Sequence, residues 1–357
     1  MKEFRTVLLE HWQRYPLMEK GDLVKLIFQS EFGTGHFLPS EAEAWARLRD
    51  EYVACQRASS LTPVPPLFEG IGGGYCRVNL RPLPRSGVSL RTVARWFVRS
   101  AKEAPPCKDT LEEKLQLLLG LARSGEMPIP EGELEEFLEE YRKAGYPGMH
   151  HSAVYREAYQ PAYRVVRQEF ARFASLFAAI DGLLDKEPHV VVAIDGNSGA
   201  GKSFLADLLG EVYDCNIFHM DDFFVPSELK SKARLEAPGG NVHYERFAEE
   251  VLQGLKAQRS FTYGVFDCGT QRIARQAEVL PKRLNIIEGS YSMHPAFGDP
   301  YHLKVFLKVS PERQRERIIR RSGEALLRRF VEEWIPLENR YFDAFGILAQ
   351  ADLVFHT

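Results

Sequence analysis

Residues 190–209 read Val-Val-Val-Ala-Ile-Asp-Gly-Asn-Ser-Gly-Ala-Gly-Lys-Ser-Phe-Leu-Ala-Asp-Leu-Leu. The first five residues, 190–194, form a largely β-branched apolar run, which is typical of a strand buried on both faces. The octet 196–203 fits the phosphate-binding pattern G-x-x-x-x-G-K-[ST]. Leucines at helical spacing follow at 205, 208 and 209. The stretch therefore predicts a strand, a phosphate-binding loop and a helix in succession.

The residue types of this loop indicate a nucleotide site. Its three glycines allow backbone N–H groups to turn towards an anion, and the following helix points its positive end at the same place. We expect Lys202 to reach the β- and γ-phosphates and the Ser203 hydroxyl to ligate Mg²⁺. ATP and Mg²⁺ are thus the predicted cofactors. The predicted nucleotide-binding residues are Gly196, Asn197, Ser198, Gly199, Ala200, Gly201, Lys202, Ser203 and Phe204.

Length and composition describe an ordinary globular chain. Its 357 residues are enough for two domains, and 45% hydrophobic with 27% charged residues argue against disorder. A net charge of −3 supplies no field that favours nucleic acid or an anionic membrane. No apolar run approaches the length of a membrane span, and no signal-peptide core is evident. The five scattered cysteines lack a C-x-x-C pair. We therefore expect a cytoplasmic protein with reduced thiols and no membrane partner.

The N-terminal half shows mainly helical patterns, and we predict a mostly helical domain of unknown role over residues 1–163. Residues 164–188 are predicted to be a connecting helix and linker: a long helix runs from 162 to 184, and residues 185–188 form the break before the first strand. The run Gly72-Gly73-Gly74 has two interpretations: a flexible turn that feeds a strand, which we favour, or a backbone anion site near Arg77 and Arg81.

A histidine pair in this half admits more than one interpretation. His150 and His151 suggest a metal or acid–base site, but no third ligand stands at a recognisable spacing. The aromatic and arginine residues that follow them are more typical of a packing face. A second reaction served by His36, His150 and His151 is a further alternative.

Residues 189–357 alternate strand and helix patterns. Strands are predicted at 190–194, 215–220, 261–267, 284–289, 303–309 and 352–355. Such alternation predicts a three-layer α/β domain with a parallel sheet, of the P-loop NTPase type. Ligands of open α/β sheets lie at the carboxyl ends of the strands. Asp221 and Asp222 follow the second strand, and Glu288 ends the fourth, where a second acidic metal-site residue is expected.

The carboxylates and a later arginine helix carry the predicted chemistry. Asp221 and Asp222 can serve as a base towards a substrate hydroxyl and as an aid to Mg²⁺, although a helix-capping pair is an alternative. Arginines that share a broad helix face can close over a transferring phosphoryl group or form only a solvated surface. They are Arg313, Arg317, Arg320 and Arg321.

Five segments in one order resemble the uridine kinase, phosphoribulokinase and pantothenate kinase group of P-loop kinases. They are the glycine-rich loop, Met-Asp-Asp-Phe-Phe at 220–224, residues 263–271, Ile-Glu-Gly-Ser-Tyr at 287–291, and the arginine helix that follows Val-Ser-Pro at 309–311. The resemblance runs from about residue 190 to residue 357, which is under half of the chain.

This resemblance implies roles for particular residues. Asp221 matches the residue that activates the acceptor hydroxyl, and Glu288 matches the acidic residue beside Mg²⁺. With the loop and the lid, the catalytic set becomes Lys202, Asp221, Arg317 and Arg320, and the metal set becomes Ser203, Asp222 and Glu288. The acceptor side is expected to involve Asp221, Phe224, Glu236, Asp267 and Gln271.

Departures from uridine kinases leave the acceptor open. Gln271 stands near the position of a base-contacting histidine, and Glu236-Ala237-Pro238 replaces an Asp-His-Pro segment. The resemblance thus implies ATP-dependent phosphoryl transfer to a hydroxyl of a nucleoside-, sugar- or pantothenate-like small molecule. The alternative is an ATP-dependent switch whose helical half binds a macromolecule. Nucleic acid is not expected as a partner, and a homodimer is left open.

Overall fold

The computed structural model of the protein describes residues 2–33, 40–57, 64–101 and 108–357. The chain divides into two units, Met1–Asp181 and Gly182–Thr357. Within the described ranges, no helix is both long enough and apolar enough to cross a membrane. The four cysteines in these ranges are free thiols. His36, one of the histidines considered for a second reaction, lies outside the described residues.

The first unit is mostly helical, as the sequence predicts, and it also holds a small sheet. Its helices are α1 (Lys2–Arg14), α2 (Lys20–Phe32), α3 (Glu41–Arg57), α4 (Leu90–Ser100), α5 (Lys108–Arg123), α6 (Glu131–Lys143), α7 (Ala153–Tyr159) and α8 (Gln168–Arg172). The strands β1 (Phe68–Gly72), β2 (Tyr75–Asn79) and β3 (Tyr163–Arg167) pair antiparallel in that order. Helix α9 (Ala174–Lys186) then leads to the first strand of the second unit.

The Gly72-Gly73-Gly74 run is the tight turn between β1 and β2. All three glycines have positive φ angles, between 61° and 80°, which other residues rarely adopt. A Cβ on Gly73 would lie 1.7 Å from the carbonyl oxygen of Ser30 in α2. This close approach explains the glycines, and the favoured interpretation of a turn that feeds a strand is confirmed.

The prediction of a helix from residue 162 to residue 184 is wrong for its first residues. Residues 163–167 form β3 instead, with Val165 facing Arg77 and Val166 facing Cys76 across the β2 pairing. The Tyr-Arg-Val-Val-Arg run is β-branched at its centre, and the pairing with β2 outweighs the helical spacing of its apolar residues. A helix follows only from Gln168 onwards.

The second unit is built on a five-stranded parallel sheet. Its strands are β4 (Val190–Gly196), β5 (Cys215–His219), β8 (Leu284–Glu288), β9 (Leu303–Lys308) and β10 (Leu353–His356), and the spatial order is β10-β9-β4-β8-β5. All residues of the central strand β4 are buried. The predicted three-layer α/β domain with a parallel sheet is confirmed.

Alternate residues of the strands face the two layers of helices. One face carries Val191 and Ala193 into an aromatic core with Phe218 and Phe306. The helices of this unit are α10 (Lys202–Val212), α11 (Lys232–Glu236), α12 (Tyr244–Phe247), α13 (Gln253–Ala257), α14 (Pro311–Arg329), α15 (Ile335–Phe345) and α16 (Ile347–Gln350). The strands place their carboxyl ends on one edge, since Glu288 pairs laterally with both Ile194 and His219.

The strand predicted at 261–267 exists but does not belong to the parallel sheet. It is β6 (Phe261–Asp267), which forms an antiparallel hairpin with β7 (Arg272–Val279). The sequence analysis missed β7 because most of its side chains are exposed and its apolar signal is weak. The run Cys268-Gly269-Thr270-Gln271 is the turn of this hairpin.

Candidate active site

The loop after β4 has the backbone geometry that its glycines predict. Gly196 has a φ of 140°, and a Cβ there would lie 2.2 Å from the carbonyl oxygen of Leu307 in β9. Gly201 precedes α10 with a φ of 93°. The Lys202 ammonium lies across the loop and donates to the carbonyl oxygens of Gly196 at 2.8 Å and Asn197 at 3.1 Å. These two hydrogen bonds hold the ammonium group against the backbone of the loop.

Ser203 and Glu288 meet beside this lysine. The Ser203 hydroxyl donates to Glu288 Oε1 at 3.1 Å, and His219 Nδ1 lies 2.6 Å from the same oxygen. Glu288 is only 4% exposed, and its buried Oε2 has no hydrogen-bond partner in the part of the chain that the structure describes. Strand β4, the glycine-rich loop and α10 follow one another, with a lysine at the end of the loop and a carboxylate on the neighbouring strand β8. This arrangement decides the class of domain. The C-terminal unit is an α/β P-loop domain.

His219 was not singled out from the sequence, although it ends the strand before the two aspartates. The pKa of its imidazole is raised, first because of the hydrogen bond to Glu288 and then because of the charges of Glu288 and Asp222, against the opposing effect of burial. The P-loop domain thus places a histidine beside Glu288, where the sequence analysis expected carboxylates alone.

Asp221 and Asp222 face different groups. Asp221 is exposed at the protein surface. The protein around its carboxyl still removes enough water to raise the pKa of that group; the charge of Lys202 opposes this effect and that of Glu288 adds to it. Asp222 accepts a hydrogen bond from the Tyr263 hydroxyl at 3.3 Å, and burial raises its pKa. The structure thus places Asp221 within the electrostatic reach of the loop lysine and Asp222 on the side of the β6–β7 hairpin.

A second carboxylate lies directly on the P-loop. Glu338 of α15 accepts the backbone N–H of Ser198 at 3.0 Å and also the hydroxyl of Ser198. The Ser290 hydroxyl donates to Glu338 Oε1 at 2.8 Å and lies 3.1 Å from the Lys202 ammonium. Glu338 is 5% exposed. Sequence analysis did not find this residue, because a single glutamate in a helix pattern carries no signal of a loop contact.

Asp195, the last side chain before the loop, ties the loop to its surroundings. Its carboxylate accepts the N–H groups of Gly196 at 2.7 Å and Met293 at 3.1 Å, and the Tyr341 hydroxyl at 2.9 Å. Complete burial raises the pKa of this carboxyl to about 6, against the attraction of Lys202 and these hydrogen bonds. The sequence signal that could have identified Asp195 is its position as an acidic residue at the end of an otherwise apolar strand.

Helix α14 is the arginine-rich helix that the sequence predicts, and it contacts the P-loop from the other side. Ser310 caps it, and Gly323 interrupts it with a φ of 77°. Arg317 donates to the carbonyl oxygen of Gly199 at 3.1 Å, and Gln314 donates to that of Ser198 at 2.9 Å. Arg320 is exposed. Of the two predicted catalytic arginines, the structure therefore brings Arg317 to the loop.

The residues predicted for the acceptor side are spread over three segments. Phe224 bridges to Val242 beside the aromatic core. Asp267 accepts the N–H of Gly269 at 2.7 Å within the hairpin turn. Gln271 accepts from Ser227 and Lys230 at 3.0 Å each. Glu236 is exposed at the end of α11.

Phe204, which the sequence predicts to contact the nucleotide, lies on α10 and is 49% exposed.

The P-loop domain is similar to solved kinase structures. A structure of a possible uridine kinase from Bacillus stearothermophilus is 22% identical, with 50% of this chain and 98% of that chain covered and a TM-score of 0.37. A putative fructose transport system kinase from a Silicibacter species is 24% identical, with 50% and 97% covered and a TM-score of 0.38. No family model and no curated protein matches the chain.

Proposed function

We propose that the P-loop domain transfers the γ-phosphoryl group of ATP to a hydroxyl of a small molecule. The observation that carries this proposal is the grouping of Lys202, Ser203 and Glu288 at one sheet edge, with Asp221 in their electrostatic field. An ATP-dependent switch needs only the phosphate loop and a metal site. Phosphoryl transfer also needs a base that faces the acceptor hydroxyl, and Asp221 is the candidate for that base.

The proposed step assigns the proton to Asp221. Its carboxylate accepts the acceptor hydroxyl proton while the acceptor oxygen bonds to the γ-phosphorus and the bond to the bridging oxygen of ADP breaks. The raised pKa of Asp221 favours proton uptake, since a general base works best when its pKa lies near the pH of the medium. Lys202 would hold the β- and γ-phosphates, and Arg317 would face the developing charge across the loop.

The residues beside Lys202 fit a magnesium ion. The unpartnered, buried Oε2 of Glu288 and the adjacent Ser203 hydroxyl are oxygen ligands of the kind Mg²⁺ prefers. Among the described residues no group of three His, Cys, Asp or Glu side chains could hold a metal by itself, so phosphate oxygens would complete the shell. When bound, Mg²⁺ neutralises phosphate charge. Asp222 remains a predicted ligand of the same metal ion.

The acceptor class is a nucleoside-, sugar- or pantothenate-like hydroxyl compound. A screen that couples ADP release to a panel of nucleosides, pantothenate, sugar phosphates and glycerate tests it on the full chain. We expect one acceptor to raise ADP release well above ATP hydrolysis in its absence. With that acceptor, Asp221→Asn should lower kcat by about 10²-fold or more.

Asp214 provides a matched control. It lies just before β5, pairs with Lys282 at 2.7 Å and has an 87% exposed side chain, so Asp214→Asn should leave kcat unchanged. Full turnover by Asp221→Asn would remove Asp221 from the step. Hydrolysis of ATP without any phosphorylated acceptor would favour the nucleotide-dependent switch instead.

A further inference from the structure

The first unit contains a cavity that the proposed kinase reaction does not use. Its volume is about 710 Å³, within the range of small-molecule sites. Lys25 on α2, Arg81 after β2 and Arg156 on α7 line it, together with His150 and Glu51. Arg81 and Arg156 are permanent cations, and burial together with the charge of Arg77 lowers the pKa of Lys25 to about 8. Among the described lining residues, Glu51 is the single carboxylate that faces them.

These three cations have no carboxylate partner among the described residues. The Nε of Arg81 is buried, and no described residue forms a hydrogen bond with it. Among the described residues, Arg156 donates only to the carbonyl oxygen of Ser152, at 3.4 Å, and Lys25 only to that of Met149, at 2.5 Å. By contrast, the lining carboxylate of Glu51 is paired with Arg164 at 2.7 Å. Asp22 acts electrostatically on Lys25, but no ion pair within the described residues offsets the charges of Arg81 and Arg156.

Other arginines and lysines of the same unit do have acidic partners. Ion pairs join Arg142 to Glu112 and Arg123 to Glu131. Lys25 and Arg81 are partly buried, and partly buried cations cost free energy unless they are paired. With the exposed Arg156 at the same cavity, they indicate an anion that binds there.

The wall of the cavity is held by a chain of hydrogen bonds. Buried Arg77 donates to Gln29 Oε1 at 2.8 Å, and Gln29 Nε2 donates to the Tyr163 hydroxyl at 3.2 Å. Tyr163 lies 2.7 Å from His151 Nε2, and His151 Nδ1 lies 2.8 Å from Asp22 Oδ1. The charges of Arg77 and Asp22 stand at the two ends of this chain.

His151 is neutral in this chain. Burial lowers the pKa of its imidazole to about 4, although Asp22 opposes the shift. A neutral ring that donates from Nδ1 to Asp22 accepts at Nε2 from the Tyr163 hydroxyl. The wall is thus fixed in one hydrogen-bonded arrangement, and it leaves Lys25, Arg81 and Arg156 as the groups that can bind a ligand.

We propose that this cavity binds a small phosphate-bearing molecule, with Arg81 and Arg156 as its main phosphate contacts. Guanidinium groups match the geometry of phosphate oxygens, and three cations suit a dianion. The volume exceeds that of one phosphate group, so the site has room for an attached organic part. The proposal does not depend on the kinase reaction, because its residues belong to the first unit.

Calorimetric titration of the full chain with inorganic phosphate tests the site. The Lys202→Ala background removes the P-loop lysine, so that a phosphate bound at the loop does not mask the first unit. We expect one saturable site in this background. Adding Arg81→Met or Arg156→Met should weaken phosphate binding at least tenfold, because each variant removes a charged hydrogen-bond donor.

Arg49→Met is the matched control, since Arg49 lies on α3 with a 57% exposed side chain and pairs with Asp50. It should leave phosphate affinity unchanged. Arg156 is exposed, so Arg156→Met tests the site even where Arg81→Met destabilises the fold. Absence of saturable phosphate binding, or binding that survives both variants, would overturn the proposal. Tighter binding of citrate than of phosphate would overturn the phosphate assignment.

Discussion

Glu338 is expected to compete with ATP for the P-loop. Its carboxylate accepts the backbone N–H of Ser198 at 3.0 Å, and backbone N–H groups of such a loop are the donors that phosphates require. Two hydrogen bonds through the Ser290 hydroxyl also connect it to the Lys202 ammonium. A bound triphosphate therefore meets a buried negative charge at its own site. Glu338→Gln removes that charge with nearly the same side-chain shape.

The size of the effect follows from the short distances around Glu338. Two unit charges about 5 Å apart repel by roughly 3 kcal/mol at an effective dielectric constant of about 20. Movement of α15 away from the loop would relieve part of this repulsion. A residual gain of about 1.4 kcal/mol corresponds to a tenfold lower Kd for ATP. We thus expect Glu338→Gln to bind ATP about tenfold or more tightly than the natural chain.

Titration with a fluorescent ATP analogue in the presence of Mg²⁺ measures this change. Glu333→Gln is the control, because Glu333 pairs with Arg329 at 2.9 Å on the exposed segment just before α15. That variant should leave the Kd unchanged. Equal or weaker ATP binding by Glu338→Gln would refute the competition and would make Glu338 a support of the loop.

Three further variants test other contacts of the P-loop domain. Lys202→Ala should lower ATP turnover by about 10³-fold, measured by ADP release with the identified acceptor. Arg317→Met should slow turnover at least tenfold more than Arg320→Met, because Arg317 contacts the loop and Arg320 is exposed; equal effects would contradict this assignment. Asp195 has a pKa raised to about 6 in the fold, so its ionisation costs stability above that pH, and the cost is lost as pH falls towards 4. The unfolding free energy of Asp195→Asn minus that of the natural chain should therefore rise by about 3 kcal/mol or less between pH 4.5 and pH 7 in urea titrations; a flat difference would contradict the shift.

The central sheet could be predicted because its strands are buried on both faces. Continuous apolar runs identify β4, β8 and β9 within two residues of their ends. The β6–β7 hairpin could not be assigned in the same way, because β6 carries the apolar signal of a sheet strand while its partner is exposed. Whether a strand joins a sheet or a hairpin depends on tertiary pairing, which periodicity does not contain.

The candidate site was predictable where function requires a local pattern. The loop spacing identifies Lys202 and Ser203, and the end of a strand identifies Glu288. Glu338 and Gln314 reach the loop from helices more than a hundred residues away along the chain. Their contacts depend on how α14 and α15 pack, so a single sequence holds no signal for them.

A structure of the full chain with a non-hydrolysable ATP analogue and Mg²⁺ tests the main proposal most directly. The β- and γ-phosphates should lie between Lys202 and the loop N–H groups, with Mg²⁺ beside Ser203 and Glu288. Asp221 should face the γ-phosphate from across the cleft. Phosphates bound elsewhere, or an Asp221 side chain directed away from them, would contradict phosphoryl transfer at this site.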